Sequence, residues 1–413
     1  MIGFPLEKKV LYLSLPEWKK SLAAMWFAQL SGMGAITGVL AFLPLYVPEL
    51  GITTVEETSL WSGILLSSAS LFAALSGPHW GAYADRSGRK LMVQRAMASS
   101  GLLMILMAFA VNVYQMLALR IFQGILGGFT AAALALVTSM APPEEIGFTM
   151  GFYQTAMIAG STFGPFFGGL IADHFGYRQA FIAFGIMCLV SLVIIQLFVT
   201  EHFTPVQQAA KPSVIRQSKE VLAIPGLRSM LFIQFLIQFA IQAIAPILPL
   251  FVKSLSPDTT YIASTCGTII AAAGLTSAMA SASMGPITHR YSHKSILSAA
   301  GGFAALSFGA QALATSVYTL GITRGISGFF MGAMLPSVNS IIFLLIPPEK
   351  RGVAFGVSSS AALMGNVVGP MAGGIIAVYF GTPSVFWLTA ALFVLVSTWA
   401  ALYVHVPDSP RKD

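Results

Sequence analysis

The sequence predicts an all-α integral membrane protein whose twelve transmembrane helices form two parallel six-helix repeats. Three observations support this fold class: an apolar composition, twelve apolar stretches of bilayer length, and one constant shift that relates the two halves of the chain. Of the 413 residues, 56% are hydrophobic and 9% are charged, whereas about 25% of the residues in soluble proteins are charged. The composition therefore excludes an ordinary soluble protein.

The apolar stretches have the length of membrane-crossing helices, which need roughly 20 mostly apolar residues. They lie at 22–46, 61–79, 91–110, 114–137, 148–171, 178–199, 229–252, 262–284, 295–314, 318–345, 353–379 and 384–405. A membrane β-barrel would show short segments of alternating polarity instead. Helices buried in a large soluble core are the remaining alternative, but such helices are usually shorter.

The second half of the chain repeats the first with a shift that is constant to within one position. The corresponding segments are 43–47 and 248–252, 120–128 and 324–332, 142–144 and 347–349, and 160–169 and 365–374. Each half contains six spans, so both halves have the same orientation in the membrane. We predict an N-terminal half at 1–200, a polar linker at 201–228 and a C-terminal half at 229–413.

The charge distribution predicts the membrane topology. Most Lys and Arg residues lie on alternate loops, and the intervening loops contain only Arg178 and Lys253. By the positive-inside rule, both termini and the loop at 81–93 are cytoplasmic. The segment before the first span mixes acidic and basic side chains and no small-residue cleavage site follows, so no cleavable signal peptide is expected. The net charge of +7 reflects this topology, and we expect no nucleic-acid partner.

The loop between spans 61–79 and 91–110 is densely charged. It combines two glycines, which permit a tight turn, with one acid and three bases: Gly81, Gly88, Asp85, Arg86, Arg89 and Lys90. This run resembles the signature loop of the major facilitator superfamily, GxLaDrxGrkxxl, with Tyr83 in place of the usual Leu. The resemblance implies the major facilitator fold and a gating loop. We expect Asp85 to contact the N-terminal end of the eleventh helix near Gly352, where the helix dipole favours a carboxylate.

Span 148–171 carries three glycines four residues apart, and small residues spaced this way let helices approach closely in lipid. With Pro165, which bends the helix, the pattern comprises Gly160, Gly164, Pro165, Gly168 and Gly169. It resembles the antiporter motif of the drug–proton antiporter subfamily of the same superfamily, which implies export. A face of small residues with only a packing role is the alternative.

The two copies of this glycine pattern predict helix contacts. Span 262–284 is rich in Gly, Ala and Ser, so we expect it to pack on the glycine face of span 148–171. The second copy, at 365–374, is expected to pack on span 61–79. Gly164→Leu is therefore predicted to separate the fifth and eighth helices, with the lipid-facing Leu192→Ile as a neutral control.

Polar side chains within the spans identify a candidate cavity. Arg120 resembles the membrane-embedded arginine of the family motif lxxxRxxqG, and Arg324 repeats its position. An ionisable group at such a depth is costly toward lipid, so Arg120 either lines a cavity or extends outward to the membrane surface. We predict cavity or coupling roles for Gln29, Arg120, Gln234, Gln238, Gln242 and Arg324. Of these, the three amides at i, i+4 and i+8 share one helix face.

Acidic residues and histidines are missing from the middle of the predicted spans. The position of a proton site is therefore open, although the resemblance implies proton-coupled antiport. Cys188 and Cys266 lie inside spans, which disfavours a structural disulfide. The polar segments contain no metal-ligand cluster, nucleophile–base pair or phosphate-binding loop of the usual spacing. We therefore predict a protein that is not an enzyme and has no cofactor.

The resemblance to the drug–proton antiporters implies a monomeric efflux carrier of the bacterial inner membrane that exchanges lipophilic or drug-like small molecules for protons. A dedicated exporter or importer of an anionic metabolite, such as a siderophore, is an alternative, which two buried arginines would suit. A membrane sensor or scaffold that transports nothing is an alternative of another class. The complete signature loop argues against it.

Overall fold

The computed structural model describes residues 16–201, 214–256 and 260–404, without the side chains of Ala82, Asp85, Ala131, Val214 and Ile215. Helix is the only regular secondary structure in these ranges, which confirms the all-α prediction. The first half contains α1 (Glu17–Gly38), α2 (Leu43–Tyr46), α3 (Val55–Ser87), α4 (Arg89–Met107), α5 (Val113–Leu126), α6 (Thr130–Met140), α7 (Ile146–Phe175) and α8 (Tyr177–Phe198). After α9 (Val214–Leu222) follow α10 (Leu227–Ile244), α11 (Leu248–Leu255), α12 (Ile262–Ala282), α13 (Met284–Thr288), α14 (His293–Ala312), α15 (Val317–Leu345), α16 (Arg351–Phe380) and α17 (Thr382–Tyr403).

Every predicted span coincides with a helix or with two consecutive helices. Within the described ranges, nine helices are long and apolar enough to cross a membrane, and α5 is a shorter apolar helix. The other two predicted spans coincide with α4, which carries three basic residues, and α14, which is rich in small residues. The structure thus shows a multi-span helical membrane protein, and the count of twelve crossings stays a prediction.

The repeat is visible in the backbone where α1 and α10 end. Each is followed by a short helix with proline in its first turn, Pro44 in α2 and Pro249 in α11. Proline has no N–H to donate and is tolerated in a first helical turn. The same break therefore occurs at both positions that the repeat relates.

The repeat fails in the fourth predicted span. There α5 ends at Leu126 and α6 begins at Thr130, whereas the corresponding α15 is continuous over 29 residues. Gly128 has a φ of 82°, a conformation that glycine adopts without steric cost. The break frees carbonyl groups, and side chains of α3 and α4 bind them: Trp80 Nε1 donates to Ile125 at 2.6 Å, and Arg95 donates to Leu126 and Gly127 at 3.0 and 3.1 Å.

The predicted linker is only partly described, since 202–213 lie outside the described ranges. The remainder contains the helix α9, whose Glu220 forms ion pairs with Arg216 at 3.4 Å and with Lys350 at 3.1 Å. The ion pair with Lys350 connects α9 to the start of α16. The division at 200 and 229 remains a prediction.

Each half has its own apolar core. One buried cluster contains only residues between 221 and 404, and two others contain residues between 22 and 199, with Ala263 as the exception. The halves therefore pack internally, and their mutual contacts are made mainly by α3 with α16 and by α7 with α12. We call the end of the bundle with the loop at 81–93 the basic end, and the end with α2 and α11 the opposite end.

Contacts between the halves are close at the opposite end. A Cβ atom added to Gly63 would lie 2.5 Å from the Pro370 carbonyl oxygen, and one added to Gly374 would lie 2.6 Å from that of Ser59. Toward the basic end, a Cβ atom on Gly77, Gly81, Gly352 or Gly356 would meet no atom within 4 Å. The bundle is thus closed at the opposite end, while the glycines of α3 and α16 at the basic end face open space.

Candidate functional site

Two arginines are buried within the helix bundle. Arg120 is 4% exposed and donates from Nη1 to Gln123 Oε1 at 3.0 Å, while its Nε and Nη2 atoms have no partner. Arg324 is 8% exposed, its guanidinium lies 5.3 Å from the centre of the Phe308 ring, and its Nε and Nη1 atoms have no partner. This burial is incompatible with the alternative in which Arg120 extends to the membrane surface.

Neither arginine has a counter-ion in the described part of the structure. The ion pairs found there are the two of Glu220, which lies far along the chain at an exposed position. A buried charge is costly unless it is paired or hydrogen-bonded. The unpartnered N–H groups of Arg120 and Arg324 therefore make the interior positive and suited to hydrogen-bond acceptors, above all anionic ones.

Two buried amides, like the arginines, have side-chain polar atoms without a hydrogen-bond partner. Gln29 is fully buried, and its Oε1 accepts a hydrogen bond of 2.5 Å from the Tyr153 hydroxyl, which leaves Nε2 without a partner. Gln234 is 8% exposed, and its Oε1 has no partner. A Cβ atom on Gly365 would lie 2.8 Å from the Cβ of Gln238, so this part of α10 packs against α16.

The structure does not join these side chains into one hydrogen-bonded cluster. Among the described residues, no hydrogen bond connects Gln29 or Arg120 with Gln234, Gln238 or Gln242. Gln238 and Gln242 are half-buried and lie beside α16, where Gln242 Cβ would be 2.8 Å from a Cβ atom on Gly369. The predicted polar floor shared by Gln29 and the α10 amides therefore remains a prediction.

Two polar partners in this region escaped the sequence analysis. Tyr153 was one aromatic residue among many, and nothing in its local sequence marks it as the partner of Gln29. Gln311 is fully buried on α14, where its Nε2 donates to Ser327 Oγ at 3.2 Å and its Oε1 has no partner. An amide inside an apolar span was a signal that could have identified Gln311.

The glycine face of α7 packs differently from the prediction. Cβ atoms on Gly160, Gly164 and Gly168 would lie 2.6 to 2.8 Å from backbone oxygens of α1, at Leu30, Gly34 and Gly38. This face therefore contacts α1 within the first half, and the expected contact of Gly164 with the eighth helix is wrong. The reason is that residues spaced by four lie on one side of a helix, and the partner of that side is decided by tertiary packing.

The contact of α7 with α12 uses the adjacent side of the same motif. Gly169 lies against the backbone of Ala263, and Gly267 lies against the Pro165 carbonyl group. The second copy packs in the same way: Gly365, Gly369 and Gly373 lie against α10, not against α3 as expected. The adjacent side makes the predicted contact with α3, since Pro370 and Gly374 meet Gly63 and Ser59. Ser67 Oγ also accepts a hydrogen bond of 3.0 Å from the Met371 N–H.

The signature loop is shorter than the motif suggests. Gly88, with a φ of 95°, makes the turn between α3 and α4, whereas Gly81 lies inside α3. The tight-turn role predicted for Gly81 is therefore wrong. The Glu201 carboxylate accepts hydrogen bonds from the backbone N–H groups of Arg89 and Lys90 at 2.9 and 2.8 Å, a stabilising position for an acid at a helix N-terminus.

The basic side chains of the loop have separate environments. Arg89 Nη1 donates to the Ala135 carbonyl oxygen at 2.9 Å, Lys90 Nζ donates to that of Gln196 at 3.4 Å, and Arg86 is exposed. The Asp85 side chain lies outside the described part of the structure. The expected contact between Asp85 and the start of α16 therefore stays a prediction.

Two similar halves that meet closely at one end, each with a buried arginine at the repeated position, are the architecture of a membrane transporter. The family model of the Major Facilitator Superfamily matches residues 25–261 and 230–413. The chain belongs to this family, and it is a secondary transporter rather than an enzyme.

Relatives and solved structures agree with this assignment. The chain is 35% identical over 390 residues to the multidrug resistance protein MdtG of Escherichia fergusonii, covering 93% of this chain and 95% of that one. It is 34% identical over 402 residues to MdtG of Serratia proteamaculans, covering 97% of each. A bacterial homolog of the human lysosomal transporter Spinster has a TM-score of 0.82 at 16% identity, covering 96% of this chain and 100% of that one. A D-xylose–proton symporter has a TM-score of 0.75 at 18% identity, with 94% and 97% covered.

Proposed function

We propose that this protein exports lipophilic or drug-like small molecules from the bacterial cytoplasm in exchange for protons, as a monomer in the inner membrane. The observation that carries the proposal is similarity over nearly the whole chain to proteins named for multidrug resistance. The two copies of the Gly-Pro motif support such a carrier, because their small residues let the helices of the two halves approach closely at the opposite end.

The orientation follows from the basic residues. Arg86, Arg89 and Lys90 lie at the basic end, while Lys253 lies at the opposite end. Under the positive-inside rule the basic end is cytoplasmic. The bundle is then closed toward the outside, and this state would receive its substrate from the cytoplasm.

A dedicated carrier for an anionic metabolite is the second candidate. It is favoured by the unpartnered N–H groups of Arg120, Arg324 and Gln29, which the carboxylate of an anion such as a siderophore would satisfy with charge-assisted hydrogen bonds. A permanent cation would be repelled by the same two arginines.

Transport by purified protein in liposomes tests these functions together. A panel of labelled anionic, neutral and cationic compounds is measured with an imposed pH gradient and after a protonophore removes it. Movement of several unrelated compounds that stops with the gradient supports coupled multidrug transport. Movement of one anion alone supports the second candidate, and no movement of any compound contradicts the proposed multidrug export.

A further inference from the structure

The carboxylate of Asp173 connects the two halves at the opposite end. Asp173 lies in the last turn of α7, and its two oxygens accept from the backbone N–H groups of Ala263 at 3.1 Å and Ser264 at 2.6 Å. The Ser264 hydroxyl donates to the same carboxylate at 2.5 Å. One side chain of the first half therefore makes three hydrogen bonds to the start of α12 in the second half.

The start of α12 depends on this carboxylate. The first N–H groups of a helix have no partner within the helix, and the residue before α12, Tyr261, provides no side-chain cap. A carboxylate at this position is stabilised by the helix dipole and forms charge-assisted hydrogen bonds. Asp173 thus performs, from the other half of the protein, the capping that helices usually obtain from their own sequence.

The surrounding contacts lie in the same interface. The His174 ring is 5.4 Å from the Tyr261 ring, and Gly169, one turn before Asp173, lies against Ala263. When the opposite end opens, α7 and α12 have to separate here. The three hydrogen bonds of Asp173 must then break, and the N-terminus of α12 loses its cap.

The internal repeat shows that α16, the counterpart of α7, lacks a residue equivalent to Asp173. The shift that relates the two glycine motifs places Val378 at the position of Asp173, and the valine side chain cannot accept hydrogen bonds. The helix that Val378 would cap, α3, has its own N-cap, since Thr54 accepts from the Glu57 N–H at 3.3 Å. Both interfaces are closely packed, but the α3–α16 interface adds the hydrogen bond of Ser67, whereas the α7–α12 interface adds a charged side chain.

We propose that Asp173 is a gating residue of the transport cycle, whose carboxylate holds the opposite end closed and leaves α12 before that end opens. The conformational part of this proposal is independent of the substrate. The part that concerns turnover rests on the proposed transport function.

Distances between spin labels test the conformational part. Val111→Cys and Thr315→Cys place labels on exposed loops of the two halves at the opposite end, while the native Cys188 and Cys266 are buried. In lipid nanodiscs, Asp173→Ala should shift the distance distribution toward longer values, and Asp173→Asn should give a smaller shift in the same direction.

Glu56→Gln is the matched control, because Glu56 is an exposed acid in the first turn of α3. Distributions in both Asp173 variants identical to that of the parent would overturn the proposal.

Folding and turnover complete the test. Gel filtration and thermal melting show whether each variant folds. If Asp173→Ala does not fold, the distance measurement on Asp173→Asn alone decides the question. In liposomes, Asp173→Asn should change kcat at least several-fold while the KM for substrate stays within about two-fold, and Asp173→Glu should restore part of the rate. A several-fold change in KM with an unchanged kcat would assign Asp173 to substrate binding and refute gating. If the parent protein transports no compound, the proposed function fails while the distance measurement still decides the role of Asp173.

Discussion

Arg120 places a positive charge in the protein interior with one side-chain hydrogen bond, to Gln123, and two unpartnered nitrogen atoms. Arg324 lies at the corresponding position of the second half and also has two unpartnered nitrogen atoms. Removing a hydrogen bond to a charged group costs roughly 1.5–3 kcal/mol. Such an energy matters for ligand affinity, where about 1.4 kcal/mol corresponds to a factor of ten.

We expect Arg120→Ala to weaken the binding of anionic substrates by about 10- to 100-fold and to abolish their transport. Arg120→Lys should recover only part of the activity, because lysine lacks the planar fork of the guanidinium. Binding titrations and liposome transport measure both effects, and Lys253→Ala, at an exposed position of the opposite end, is the control. Fast export of a permanent dication that Arg120→Ala leaves undiminished would show that this arginine has a structural role.

Asp85 is the second residue whose charge we expect to matter. Asp85→Asn keeps the shape of the side chain but removes the charge that would stabilise a contact with the N-terminal end of α16. The variant should remain folded and bind ligand, while its turnover falls. Liposome transport beside ligand binding checks this, with the exposed Glu144→Gln at the same end as the control. Turnover equal to that of the parent protein would contradict a gating role.

At the scale of helices, the glycine motif of α7 serves two interfaces at once. Gly160, Gly164 and Gly168 hold α7 against α1 within one half, and Gly169 holds it against α12 of the other half. Large side chains at these positions should therefore have different effects. Overpacking within a core typically costs about 1–3 kcal/mol.

Gly164→Leu should lower the thermal stability of the protein, because it separates α1 from α7 in the first half. Gly169→Leu should instead shift the opposite end toward its open state, with the spin-label pair at 111 and 315 as the measurement. Leu197→Ile, at a residue 69% exposed, is a better control than Leu192→Ile, since Leu192 is half-buried against the core. Equal loss of stability in both glycine variants would argue against two separate interfaces.

At the scale of the whole molecule, the two ends of the bundle differ in packing. The structure is closed where α7 meets α12 and α3 meets α16, and its basic end is the predicted cytoplasmic side. A carrier that alternates between two states must break one set of contacts to form the other. The hydrogen bonds of Asp173 and Ser67 belong to the contacts that close the opposite end in this structure.

Reaction with a membrane-impermeant maleimide tests this arrangement and its orientation. Gly352→Cys should react rapidly in inside-out vesicles and slowly in intact cells, because this position faces open space at the basic end. Ser59→Cys, buried against Gly374 at the opposite end, should be protected in the inside-out vesicles. Rapid labelling of Gly352→Cys in intact cells would reverse the predicted topology.

Much of the fold could be predicted from the sequence, because apolar length and internal repetition are local or periodic properties. The two Gly-Pro motifs lie inside helices, and each of the twelve stretches coincides with one helix or with two consecutive helices. The break after Leu126 could not be predicted, since an identical glycine in the other repeat, Gly332, lies inside a continuous helix. The side chains of Trp80 and Arg95, distant in sequence, decide the difference by binding the freed carbonyl groups.

The sequence by itself determined the membrane class, the family and the repeated halves, because each depends on hydrophobicity, internal repetition or a short motif. It left open whether Arg120 lines a cavity or extends to the membrane surface, and the tertiary structure shows that Arg120 and Arg324 are buried. Only the tertiary structure decided that Gly164 faces α1, that Gln29 pairs with Tyr153 and that Asp173 caps α12. The physical reason is that one helix face can be satisfied by several neighbours, and a carboxylate near a span end resembles any surface acid. Which partner it meets depends on how the two halves pack, and that information lies far away along the chain.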